Sequence, residues 1–178
     1  VAIDLGYKVL QQTKKDLGDA FEDTPNATVI EKMYELGRYG RKNKKGFYVY
    51  SDTGKQLWDE LDQFAPGGKL LDEQPTVDEL KDRILYAQAI EAARTMEESI
   101  VADPREADVG SILAWGFAPY TGGVLSYIDT IGAKAFVARA DELKSKYGKP
   151  FEVPALLREM AEKGETFYTR FNPEKAAA

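Results

Sequence analysis

The stretch TVDELKDRILYAQAIEAARTMEESIVADPREADVGSILAWGFAPYTGGVLSY, residues 76–127, decides the fold. Thr76 and Glu79 stand in the Ser/Thr-x-x-Glu relation, in which a hydroxyl and a carboxylate each satisfy an orphan backbone donor of a first helical turn. From Leu80 the apolar positions Ile84, Ala87, Ala89, Ile90, Ala93, Met96, Ile100 and Val101 recur at helical spacing, a stripe wide enough for neighbours on more than one side. This predicts a long central helix running to Val101. Asp103 then suits an N-cap, Pro104 a first helical position and Glu106 a reciprocal capping carboxylate, so a second helix turns off sharply. Trp115 to Gly123 holds three glycines, one proline and three aromatic residues. Glycine permits positive φ or close backbone approach, and aromatic rings bring buried area, so this loop has a core role.

These features carry a resemblance. Arg83…Ala87…Glu91, Glu98-Ser99-Ile100-Val101, Glu106-Ala107-Asp108, Gly116 to Gly123 and Tyr127-Ile128-Asp129 follow one another as in the C-terminal helical region of 3-hydroxyacyl-CoA dehydrogenases, which the chain resembles. The likeness is stronger to the large bifunctional β-oxidation enzymes that join an enoyl-CoA hydratase to this dehydrogenase and carry its helical domain twice. Ala118 stands where that family usually shows a second proline, and Thr121 where a basic residue is common.

The resemblance implies an all-α fold of two related multi-helical units, as in the duplicated C-terminal domain of the 6-phosphogluconate dehydrogenase C-terminal-like class. Residues 1–70 would be a first unit truncated at its N-terminus, and residues 71–178 a complete second one. The resemblance also places NAD and the catalytic histidine in a separate Rossmann domain, makes acyl-CoA the parent's substrate, and leaves a second copy or a thiolase subunit as candidate partners. No catalytic, cofactor or metal residue carries over to this chain. Gly116, Phe117, Pro119, Tyr120, Gly122 and Gly123 are expected to form a packing or interface loop.

Composition narrows the chemistry further. A 43% hydrophobic and 30% charged content is that of an ordinary globular protein, and a net charge of −6 argues against a nucleic-acid binder. No apolar run approaches the roughly 18–20 residues that a membrane span needs, and a cytoplasmic setting is expected. The absence of Cys and His removes disulfides, thiolate nucleophiles, histidine bases and imidazole ligation together. The chain starts at Val1 without a secretory pattern and reads as a piece of a longer protein.

Towards the N-terminus, apolar residues at Ile3, Leu5, Val9, Leu10 and Leu17 predict an amphipathic helix, and a connector follows over Phe21 to Asn26. A second helix is expected from Ala27 to Leu36, ended by Gly37. Gly37 to Gly46 then carries five basic residues in ten. Arg41, Lys44 and Lys45 are candidate anion contacts, for nucleic acid or the phosphates of coenzyme A; the plainer reading is a solvated loop. Phe47 to Tyr50 is β-prone but has no evident partner, so it is expected to lie extended on the core. Leu57, Trp58, Leu61 and Phe64 share one helical face, with Trp58 as a packing residue.

Ala65 to Gly68 and Asp72 to Pro75 form the best linker candidate, with a boundary near residue 70. Beyond the central stretch, helices are expected over Val124 to Ile131, over Ala133 to Tyr147 and after Pro154, with a frayed tail from Asn172 to Ala178. Gly46-Phe47-Tyr48 and Gly164…Phe167-Tyr168 form an internal likeness, their Phe-Tyr pairs 120 residues apart. The carboxylates Glu91, Glu97, Glu98, Glu106 and Asp108 read as surface charge and capping rather than as a catalytic pair, since Glu97 and Glu98 diverge on a helix. The Gly-rich loop lacks the spacing of a dinucleotide or P-loop cradle. Two other readings remain open: a free-standing helical interaction module, and an anion binder acting through Arg38 to Lys45.

Overall fold

A computed structural model describes residues 2–65 and 74–171. The chain divides into two compact units, Val1–Gln74 and Pro75–Ala178. The expected linker falls largely outside the described residues, as does the tail from Asn172.

In the first unit, α1 (Ile3–Leu17) packs on α2 (Pro25–Glu35). Thr24, expected to be part of a connector, caps α2: its hydroxyl accepts from the Ala27 amide at 3.2 Å, and Pro25 takes the first helical position. Tyr7 stacks on Tyr34 with ring centres 3.8 Å apart, and Lys14 reaches Glu31 at 2.8 Å across the same seam. Of the two helices only Ala27 and Met33 are buried, while Leu5 and Val9 are exposed, so the core of this unit is thin.

The β-prone run does find a partner. β1 (Tyr48–Ser51) and β2 (Gly54–Leu57) form an antiparallel hairpin, with Tyr48 opposite Leu57 and Ser51 opposite Gly54. Gly-Lys-Gln-Leu carries little strand propensity, and the two-residue Asp52-Thr53 loop imposes the pairing. Leu57 is therefore in a strand, and of the helix expected through Phe64 one 3₁₀ turn remains, Leu61–Phe64. The two Phe-Tyr pairs also part company: Phe47-Tyr48 enters this hairpin, whereas Thr166 caps a helical turn that starts at Phe167.

The second unit contains α3 (Val77–Glu97), α4 (Pro104–Trp115), α5 (Val124–Ile131), α6 (Ala133–Tyr147), α7 (Ala155–Lys163) and α8 (Phe167–Arg170). Thr76 caps α3 by accepting from the Glu79 amide at 3.2 Å. The Glu79 carboxylate does not close the reciprocal half of the box; it accepts from Tyr147 Oη and Lys146 Nζ on α6 instead. At the other end the helix stops four residues before the expected Val101. Ser99 takes a left-handed φ of 57°, its amide donates to Met96 O and the Ile100 amide to Thr95 O, the hydrogen-bond pattern of a Schellman ending without its usual glycine. At α4, Asp103 accepts from the Arg105 amide at 2.9 Å, and the Arg105 guanidinium folds back to donate to the Asp103 carboxylate.

α3 buries Tyr86, Ala89, Ile90, Ala93 and Met96 but leaves Leu80 and Ile84 exposed, so its apolar stripe is narrower than expected. The short α5 holds the middle position, with α3, α4, α6 and α8 packed around it and Val124, Leu125 and Ile128 fully buried. Tyr86 stacks on Phe136 at 4.2 Å, and Tyr127 meets both rings edge-on at 6.0 and 6.2 Å. Each such buried ring contributes on the order of 1.5–3 kcal/mol of transfer free energy, plus a quadrupolar preference for these geometries. No helix among the described residues is long and apolar enough to cross a membrane.

Candidate functional site

In three helices of the second unit, α5, α7 and α8, carboxylates from elsewhere in the chain accept from amides of the first turn. α5 begins after Gly123 and α7 after Pro154, neither of which offers a side-chain acceptor. Asp108, on α4, accepts from the Leu125 amide at 2.7 Å, the Ser126 amide at 3.2 Å, Ser126 Oγ at 2.5 Å and Tyr168 Oη at 2.8 Å. Glu97, at the end of α3, accepts from the Leu156 amide of α7 at 2.8 Å. Asp129, on α5, accepts from the Phe167 amide at 2.9 Å and the Tyr168 amide at 3.3 Å, adding to the cap that Thr166 gives α8. A carboxylate at a helix N-terminus satisfies orphan donors and faces the positive end of the dipole.

Asp108 is the centre of this arrangement. It is 2% exposed, so of its reading as surface charge and capping only the capping holds, and Ser111, also buried, donates from Oγ to Asp108 O at 2.8 Å. Glu97 caps as expected, but a different helix from its own. With four donors on its two oxygens, Asp108 is placed to hold structure rather than to take a proton from a substrate. Tyr168 ties two of the carboxylates together, its hydroxyl on Asp108 and its amide on Asp129.

The expected loop residues divide between inside and outside. Phe117 is buried and meets Tyr127 edge-on at 6.1 Å. Gly116 ends α4 in the left-handed region at φ 74°, and Gly122 and Gly123 have φ of 84° and 121°. Gly123 is where α4 and α5 touch: a Cβ there would lie 2.4 Å from Asp108 Cβ. Pro119 and Tyr120 point to solvent, Tyr120 being 85% exposed. On α4, Val109, Leu113 and Trp115 are also exposed, the first two one turn apart on the same face.

Burial raises the Asp129 carboxyl above its ordinary value, against the opposing hydrogen bonds from Phe167 and Tyr168 and with the charge of Asp108 adding to the rise. A carboxyl raised on folding stabilises fully below its unfolded pKa, and that contribution is lost as pH rises through the folded value. Between about pH 3 and pH 7, urea midpoints of the wild type should therefore fall relative to those of Asp129→Asn. A constant difference across that range would refute the assignment.

In the first unit, the basic segment is a tightly built loop whose charges are mostly committed. Arg38 is buried, donates from Nε to Gly46 O at 2.8 Å and lies 3.8 Å over the Trp58 ring, so it is removed from any surface site. Trp58 is thus a packing partner for a cation. Lys42 pairs with Asp4, and Lys44 with Asp52 at 3.0 Å. Arg41 and Lys44 line one open groove together with Lys55, which the sequence reading did not include; Lys45 is not among the lining residues. Lys45 sits instead on a backbone bridge to Gly40.

Comparison with known proteins finds relatives along nearly the whole chain. The family model for the C-terminal domain of 3-hydroxyacyl-CoA dehydrogenase matches residues 1–50. A fatty acid oxidation complex subunit alpha from Shewanella halifaxensis is 40% identical over 173 residues, covering 95% of this chain and 23% of the relative. The first 50 residues are thus similar to that helical C-terminal domain, and nearly the whole chain is similar to a stretch of the alpha subunit. The subunit of the same description from Idiomarina loihiensis is 36% identical over 172 residues, covering 94% of the chain and 23% of the relative. The chain thus spans about a quarter of the length of the curated relatives it matches. The crystal structure of the dehydrogenase part of multifunctional enzyme 1 from C. elegans shares the fold, with a TM-score of 0.52 at 19% identity over 86% of this chain and 36% of that one.

Proposed function

We propose that this chain is the non-catalytic helical part of an NAD-dependent 3-hydroxyacyl-CoA dehydrogenase of fatty-acid β-oxidation. The parent reaction is oxidation of a 3-hydroxyacyl-CoA to the 3-oxoacyl-CoA. The observation that carries this reading is the 40% identity to a fatty acid oxidation complex subunit alpha along nearly the whole chain. The helical part gives shape to the acyl-CoA cleft and contacts to a Rossmann domain, to a second copy or to a thiolase subunit. The exposed apolar face of α4, with Leu113 79% exposed, supports a contact role, since a surface of this kind is commonly covered in an assembly.

NAD does not fit the residues of this chain. Among the described residues the sheet is a two-stranded antiparallel hairpin, without the strand, Gly-rich turn and helix that place a pyrophosphate on a helix N-terminus. On this reading the nicotinamide cofactor and the proton-transferring residue belong to another part of the parent.

The test is NADH oxidation with acetoacetyl-CoA, by the chain alone and within its full reading frame. Turnover is expected in the full reading frame and not in the chain alone. Turnover by the chain alone would overturn the non-catalytic assignment, and none in either would overturn the dehydrogenase reading.

A further inference from the structure

The hairpin of the first unit forms the wall of an open groove of about 730 Å³, lined by the cations Arg41, Lys44 and Lys55 and by Ser51, Asp52 and Thr53. A chain of net charge −6 here gathers three positive charges against one carboxylate. The loop that presents them is fixed from several sides. The Gly40 amide donates to Lys45 O at 2.6 Å, the Lys45 amide to Gly40 O at 3.1 Å, and the Tyr50 amide to Lys44 O at 3.0 Å. Asn43 Nδ2 holds Gly37 O at 2.7 Å, and a Cβ on Gly46 would meet Gly40 Cα at 2.9 Å. Lys44 is kept in the left-handed region at φ 59°, a conformation costly for a residue with a Cβ and retained when the surroundings impose it.

The groove has an apolar neighbour. Tyr50 lines both the basic groove and a second one of about 400 Å³, walled by Gly6, Ile30, Phe47 and Tyr48. Lys55 lies over the Tyr48 ring at 4.6 Å. An occupant of both would carry negative charge at one end and an apolar or aromatic group at the other. The net charge of the basic groove is matched by a phosphate monoester, which carries close to two negative charges at neutral pH. The planar donor fork of Arg41 suits phosphate oxygens in pairs, while Lys44 and Lys55 act as point charges.

We propose that this groove binds a phosphate monoester, with the phosphate between Arg41, Lys44 and Lys55 and its organic part passing over Tyr50 into the apolar groove. Asp52 opposes the ligand and competes for Lys44 through their 3.0 Å ion pair. The inference does not rest on the dehydrogenase reading; a free-standing chain would carry the same groove.

Titration calorimetry of the whole chain with phenyl phosphate, inorganic phosphate and phenol tests it. Phenyl phosphate should bind most tightly, inorganic phosphate more weakly and phenol weakest, with affinity for the two anions falling as salt rises. Arg41→Ala should weaken phenyl phosphate by about tenfold, on the scale of one charge-assisted contact. Lys45→Ala should leave it unchanged. Asp52→Asn, which frees Lys44 and suits a hairpin turn, should tighten binding several-fold, a gain that misfolding cannot imitate. Absence of saturable binding, equal losses from Arg41→Ala and Lys45→Ala, or phenol binding as tightly as phenyl phosphate would each overturn the proposal.

Discussion

Gly123→Ala is expected to destabilise the second unit by about 3–5 kcal/mol. The added Cβ would lie 2.4 Å from Asp108 Cβ and 2.5 Å from its Cα, separations that real side chains do not adopt. Of the three obstructing atoms, Cβ, Cα and Oδ1, only Oδ1 moves when the Asp108 side chain rotates, so rotation cannot relieve the overlap. The helices α4 and α5 would have to separate, and overpacking of a close junction costs roughly 1–3 kcal/mol or more. A φ of 121° adds strain of about 1–3 kcal/mol for any residue with a Cβ. Urea unfolding, with hydrogen exchange resolved over α4 and α5, reads the loss and its location. Wild-type protection of the Leu125 and Ser126 amides in the variant would show that the junction tolerates a methyl group. Gly122→Ala is a weaker neighbour, its Cβ meeting Ser126 Cβ at 3.1 Å, a contact that a shift of a few tenths of an ångström relieves.

The sequence pattern anticipated the helical fold and much of its punctuation. Thr76 and Asp103 with Pro104 are local signals, because a cap and its helix are neighbours in the chain. The three cross-chain caps escaped the same reasoning for that reason. Asp108 and Leu125 are 17 residues apart, Asp129 and Phe167 38, and Glu97 and Leu156 59, and no local rule pairs them. Asp108 did leave a trace: with Pro104, Ala107 and Ser111 it occupies the buried face of α4 at spacings of three and four, where a surface carboxylate has no place.

Other departures are also physical. Ser99 ends α3 in a left-handed conformation that a search for glycine passes over. The hairpin depended on a turn rather than on strand propensity, and β2 has four exposed residues that bury nothing. Ile84 and Leu80 matched the helical period but face outward, since periodicity identifies a face without saying whether a neighbour covers it. In the basic loop, charge density in sequence overstated the free charge: Arg38 is consumed by Gly46 and Trp58, Lys42 by Asp4, and the groove gains Lys55 from across the hairpin.

Asp108→Ala should cost about 3–5 kcal/mol, through the donors it abandons rather than through lost volume. The amides of Leu125 and Ser126, the Ser126 hydroxyl and the Tyr168 hydroxyl all lose an acceptor, and α5 has no cap of its own to replace it. A buried donor left without a partner costs about 1–3 kcal/mol, and water entering the vacated space recovers part of that sum. Asp108→Asn keeps the shape and one acceptor oxygen, so it should cost less, about 1–3 kcal/mol, because its amide group turns donors toward donors. This ranking separates the capping role from simple packing, in which the near-isosteric Asn would be almost neutral. Urea midpoints give the order, and equal losses for Ala and Asn would sink it. The double variant Asp108→Ala with Gly123→Ala should lose clearly less than the two losses added together, since both changes open the same junction between α4 and α5 and it can open only once.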